Sequence, residues 1–286
     1  MFSMMRYHCK QLFSSKRWVF ILAIDAFLAL GIILERIVSS SDYTMRYHVA
    51  PPAANIWDVP VDLLCGNFVT IFILVIAFVF LVGDTFLRDE RTGRFPMLFA
   101  RANNRTTWFV SLILPMSLAA MAFVAAAIVI SLGVALLFLP AGTSFSPFLT
   151  SNAVHANIRP YSFPTMSPSP PLFFLGVIGY LGPALCSLAL LSVVISVWWR
   201  QTVAVFIPVA WIFIDMTLHG WAIRYSLTMD RFFFSTQLQL TSHWRYADIP
   251  TMVALPFPVA ASVIAFCTLV VLWSVVGFIS FRQADL

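Results

Sequence analysis

Six apolar stretches constrain this chain more than any other feature. They cover roughly residues 18–34, 63–83, 107–139, 172–199, 203–221 and 256–280. A bilayer core about 30 Å thick takes ~20 apolar residues as helix, and backbone polar groups inside it must be bonded within the protein. Long apolar runs therefore read as spanning helices. The longest, Thr107–Leu139, holds 33 residues, or ~50 Å of helix. That exceeds one upright pass and falls short of two passes with a turn, so a tilted helix fits it.

Composition closes off the soluble alternative. The 286 residues are 60% hydrophobic and 10% charged, against roughly 25% charged in soluble domains. The expected fold class is an all-α integral membrane protein of the plasma (cytoplasmic) membrane. It has six transmembrane helices in one domain, residues 1–286. Four dispersed cysteines (Cys9, Cys65, Cys186, Cys267) support neither a disulfide framework nor a zinc site. No basic cluster with interleaved aromatics points to nucleic acid.

Sidedness comes from residues 84–105, DTFLRDERTGRFPMLFARANNR, the charge-dense interruption between the second and third stretches. Five arginines (Arg88, Arg91, Arg94, Arg101, Arg105) stand there against Asp84, Asp89 and Glu90. Short basic loops stay in the cytoplasm. Both termini then fall inside, as does the turn Arg200–Thr202. The outer segments are 35–61, 140–171 and 222–255. This arrangement puts 11 of the 17 Lys and Arg inside. Residues 1–17 read as a helix on the inner membrane surface, with Met5, Cys9, Leu12 and Phe13 on one face. Asp25 interrupts the first stretch and no A-x-A site follows, so this segment does not read as a signal peptide.

The basic loop has its own punctuation. The second span is expected to run on as helix through Arg88–Arg91, with Gly93 ending it in a left-handed cap. Pro96 suits the first turn of a new short helix, 96–102, and Asn103 and Asn104 terminate it. The product is a short cytoplasmic helix with an apolar and a basic side. A plain charged stop-transfer loop is the competing reading.

Glu90-x-x-Gly93, Leu98 and an arginine twelve residues after the glycine (Arg105) resemble the first cytoplasmic loop of the ABC type 2 transporter permeases. Arg94 stands where that family usually has Thr, Pro96 where an acid is common, and Ala102 or Asn103 where Pro is expected. The resemblance extends to the basic N-terminal helix, the six spans and the short turn between the fourth and fifth. It implies a permease that dimerises with a second copy or a related chain and binds cytosolic ABC ATPase subunits through this coupling loop. ATP and magnesium would sit in the ATPase, with no cofactor on this chain. The coupling interface would comprise Arg88, Glu90, Arg91, Gly93, Arg94, Met97, Leu98, Phe99, Arg101 and Arg105, and the direction would be export. The chain has no G-x-x-x-x-G-K-[ST], so it is not expected to be an enzyme.

Three ionisable residues lie inside apolar stretches: Asp25 in the first, and Asp215 and His219, four apart on one helical face, in the fifth. Intramembrane charge is expensive and is a functional candidate by default. They are candidates for a pathway or gate, against a bland reading as buried packing or dimer contacts. No third ligand accompanies Asp215 and His219, so a metal site is not expected. The alternative function is an ion- or proton-coupled carrier or channel using these three residues. A non-transporting immunity or structural subunit is a third reading. The outer segments, about 27, 32 and 34 residues long, exceed what joining helices requires. They suit a gate, or the docking of an accessory membrane subunit.

Overall fold

A computed structural model describes residues 2–47, 53–66, 68–94, 97–98, 105–150, 169–199, 205–225, 233–240 and 258–283. The architecture is helical, with no strand among the described residues. Helix α1 (Phe2–Phe13) leads into α2 (Arg17–Tyr47). A short α3 (Asp58–Val61) and a π-helical turn (Asp62–Gly66) precede α4 (Phe68–Val82) and α5 (Thr85–Arg91). Then come α6 (Arg105–Ala135), the single turn α7 (Pro147–Thr150) and α8 (Pro170–Trp199). Helices α9 (Ile207–Tyr225), α10 (Phe234–Leu238) and α11 (Val259–Gln283) complete the described chain.

Five segments are long and apolar enough to cross a membrane: 17–38, 70–91, 106–135, 170–199 and 259–283. The apolar part of α9, Ile207–Leu218, is shorter. Each expected apolar stretch coincides with a helix, but the boundaries shift. Helix α2 continues to Tyr47, through the first part of the segment read as an outer loop. Helix α6 stops at Ala135, and residues 136–138 form a turn. Pro115 and Pro183 lie within continuous helices.

Helices α6 and α8 form the centre of the bundle, with α11 packed on both and α1 and α2 along α6. Small residues permit the close approach: Ala119, Ala120 and Ala127 on α6 are fully buried, as are Ala184 and Ala189 on α8. Gly277 on α11 lies against the Phe109 ring, where a Cβ would fall 2.2 Å from Cζ. Helix α11 is apolar but turns Ile264, Val271 and Val275 outward. A helix apolar all round, with one side buried and the rest exposed, has hydrocarbon as its natural surroundings.

Two polar systems tie the bundle at opposite ends. At one, Arg36 from α2 bonds Asp58 (2.7 Å) and Asp62 beside it. Asp58 also accepts from Ser146 Oγ (2.6 Å) and the Asn55 N–H (3.1 Å). Trp57 Nε1 donates to the Gly142 carbonyl at 2.6 Å, joining residues 53–66 to 140–150. The other end carries the basic segment.

Candidate functional site at the basic end

The second span does not run on unbroken into the basic segment. Residues 83 and 84 form a turn between α4 and α5. A Cβ at Gly83 would lie 2.6 Å from both Val205 Cγ1 and the Val79 carbonyl oxygen, so the chain turns where only glycine fits. The last turn of α5 closes as the sequence predicts. Gly93 takes φ +64°; its N–H bonds the Glu90 carbonyl (3.0 Å) and the Arg94 N–H bonds that of Asp89 (3.1 Å). That pair is a Schellman motif, which satisfies the carbonyls at the helix end and sends the chain off sharply.

Two carboxylates fasten this segment to the N-terminal helices. Asp84 takes both guanidinium nitrogens of Arg17, at 2.6 and 2.8 Å, and Arg88 at 3.1 Å. Arg17 also donates to the Phe80 carbonyl (2.7 Å) and lies 4.8 Å over the Phe80 ring. Asp89 is fully buried and accepts from Tyr7 Oη (2.9 Å) and Gln11 Nε2 (2.8 Å). Tyr7 in turn accepts a long hydrogen bond from Arg94, 3.4 Å. Burial pushes the Tyr7 phenol upward, and the Arg94 guanidinium beside it opposes that.

Beneath the segment sits an aromatic cluster drawn from four helices. Phe281 of α11 stacks on Trp108 (5.2 Å) and Phe109 (5.1 Å) of α6, and meets Phe86 of α5 edge-on at 5.5 Å. His8 of α1 meets Trp108 edge-on at 5.1 Å. All five rings are essentially inaccessible. Aromatic contacts of this kind add to burial and hold one relative geometry.

The residues expected to form the coupling interface divide accordingly. Arg88 is half-buried against Asp84, and Leu98 is buried, its N–H bonded to the Arg94 carbonyl. Glu90 is half-buried; Arg91, Gly93, Arg94 and Met97 are exposed. Phe99 and Arg101 lie outside the described residues, as do most of the expected 96–102 helix and the side chain of Arg105, whose backbone opens α6. Sequence reasoning missed the braces Tyr7, Gln11 and Arg17. The stripe expected on α1 is also rotated: Met4, His8 and Leu12 are buried, while Phe13 is exposed. The fourfold spacing of Met4, His8 and Leu12 was the available signal, hidden because the middle residue is polar.

Among the described residues, Asp25 and Asp215 have separate settings. Asp25, fully buried in α2, has no hydrogen-bond partner on either carboxylate oxygen among the described residues. Asp215 accepts the backbone N–H groups of Phe234 (3.3 Å) and Ser235 (2.7 Å), capping α10. The His219 side chain lies outside the described residues, so no Asp215–His219 pair is described. The four sulfurs are free thiols.

These features define a multi-spanning helical membrane protein with a braced, basic, partly exposed segment at one end. The chain belongs to the family described as a protein of unknown function (DUF2705), which matches residues 27–286. No curated protein and no solved structure matches it.

Proposed function

We propose that this chain is the transmembrane permease subunit of an ATP-driven ABC transporter, exporting substrate by alternating access driven by a separate cytosolic ATPase. In this reading six helices span the plasma membrane, both termini are cytoplasmic, and two permease chains pair. The observation that carries it is the construction of residues 84–94, with Met97 and Leu98 beyond them. A docking segment that passes force must be exposed on one side and rigid on the other. Arg91, Gly93, Arg94 and Met97 are exposed, while Asp84, Asp89 and Phe86 fix the same segment to α1, α2, α6 and α11. A stop-transfer loop needs charge but no such bracing. The engagement of Asp215 by the backbone of α10 supports its reading as a structural cap over its reading as a carrier site.

The test is a mild-detergent pull-down of tagged protein from its native membranes, beside an Arg91→Glu/Met97→Asp variant. Both residues are exposed, where substitutions usually shift stability by about 0.5 kcal/mol or less, and an unchanged thermal midpoint of the purified variant checks that the fold is kept. The expected result is a co-purifying soluble ATPase with the wild type and at least tenfold less with the variant, since even ~1.4 kcal/mol of lost contact is a factor of ten. A wild-type preparation with no ATPase sinks the proposal.

A further inference from the structure

Helix α1 has two unlike long faces. Met4, His8 and Leu12 are buried, and Tyr7 and Gln11 beside them hold the Asp89 carboxylate at 2.9 and 2.8 Å. Phe2, Arg6, Lys10 and Phe13, spaced i, i+4, i+8 and i+11, are all exposed. That spacing puts the four on one stripe, on the side of the helix away from the buried one. Lys16, in the turn that follows, is exposed as well.

The charge of this outer stripe is uncompensated. Residues 1–24 contain no Asp or Glu. Arg17 is taken up by Asp84, but the side chains of Arg6, Lys10 and Lys16 make no ion pair or hydrogen bond among the described residues. Aromatic rings interleave with the cations. Phe2 is 79% exposed, and Phe13 stacks on Trp18 with centroids 6.1 Å apart. Trp18 Nε1 donates to the Leu12 carbonyl (2.9 Å), which ties the end of α1 to the start of α2. Three residues past Lys16 the exposed surface turns apolar, with Val19, Phe20 and then Phe27. The cations thus stand at the border where the hydrocarbon-facing surface of a spanning helix begins, which is the level of lipid headgroups.

We propose that the outer face of α1 is a binding surface for anionic phospholipid. Arg6, Lys10 and Lys16 meet the headgroup phosphates, and Phe2 and Phe13 enter the boundary between headgroups and acyl chains beside them. Each cation near an anionic leaflet is worth about fivefold in binding, so the three together give on the order of a hundredfold. An acidic protein would answer the charges alone. A lipid leaflet also answers the exposed rings between them and the apolar surface that adjoins them. The opposite face of α1 holds Asp89 through Tyr7 and Gln11, so lipid that binds the docked helix stabilises that brace too. The inference rests on α1 and the start of α2, and holds whether or not an ATPase docks on the basic segment.

The experiment compares full-length protein in nanodiscs of phosphatidylcholine with the same protein in an equal mixture of phosphatidylcholine and phosphatidylglycerol, at low salt. The thermal midpoint should be higher in the anionic mixture by about 2 °C or more, and the difference should shrink as NaCl is raised. Arg6→Gln/Lys10→Gln should lose at least half of that difference. Arg91→Gln/Arg282→Gln removes the same charge from two exposed positions outside α1 and should keep it. If the α1 double variant is not monodisperse, Lys10→Gln, a change at one exposed side chain, decides by the same comparison. Equal midpoints in the two lipids, loss of less than half the difference in the α1 variant, or an equal loss in the charge-matched variant overturns the proposal.

Discussion

His8 is fully buried, and neither ring nitrogen makes a hydrogen bond of normal geometry among the described residues, although the Gln11 side chain and the Trp108 backbone lie near enough to favour the charged ring. Desolvation favours the neutral imidazole and pushes its pKa down to about 4. The unfolded chain titrates near 6.5, so between pH 6.5 and 4 the unfolded state binds the extra proton. Stability from this site is therefore complete above pH 6.5 and is lost as pH falls toward 4. Moving from pH 7 to pH 5 should cost the wild type about 2 kcal/mol through His8. His8→Phe keeps an aromatic ring against Trp108 and removes the proton. Thermal midpoints at the two pH values should show an acid-side loss in the wild type that is smaller in the variant, and equal losses would refute the buried neutral ring. Asp25 is the contrasting residue. It was legible in the sequence because a carboxylate interrupts an apolar run, whereas His8 sits in a polar-looking helix whose burial depends on Trp108, a hundred residues later.

Among the elements, α2 shows how the polar ends of spans are managed. It extends past its apolar part, and Arg36 lies there between Asp58 and Asp62, 12% exposed against 0% and 15%. A buried ion network of this kind need not add net stability, but breaking it from one side leaves uncompensated charge. Arg36→Met should thus cost about 3–5 kcal/mol. Neutralising the acids as well, in Arg36→Met/Asp58→Asn/Asp62→Asn, should recover much of that loss, read as the thermal midpoint of protein purified in one detergent. A triple variant no better than the single one would mean that the bonds to Ser146 and Asn55, not the charges, hold this end. The helices themselves were legible, because spans need only length and apolarity, and the Gly93 cap was legible because a left-handed residue after a basic turn favours glycine. Three features were not: the break at Gly83, the burial of α1 along α6, and the entry of residues 233–240 into the bundle. Each depends on a neighbour distant in sequence: Val205 for Gly83, Trp108 for α1, and Tyr180 with Asp215 for α10.

At the scale of the whole molecule, the reading turns on which end faces the cytoplasm. The bundle has a basic end, with Arg17 and Arg88 on Asp84 and Arg94 near Asp89, and an opposite end where Asp58 and Asp62 enclose Arg36. The proposed function requires the basic end to face the cytoplasm, as the rule of retained positive charge expects, because an ATPase could reach the 84–94 segment only from there. Two exposed positions report the two ends without disturbing the core: Ser14, after α1, and Thr143, before α7. In a chain freed of its four native cysteines, Ser14→Cys and Thr143→Cys are each labelled with a membrane-impermeant maleimide. Thr143→Cys should react in intact cells, and Ser14→Cys only in inverted vesicles or after permeabilisation. The reverse pattern would put the braced segment outside and remove the ATPase reading at once.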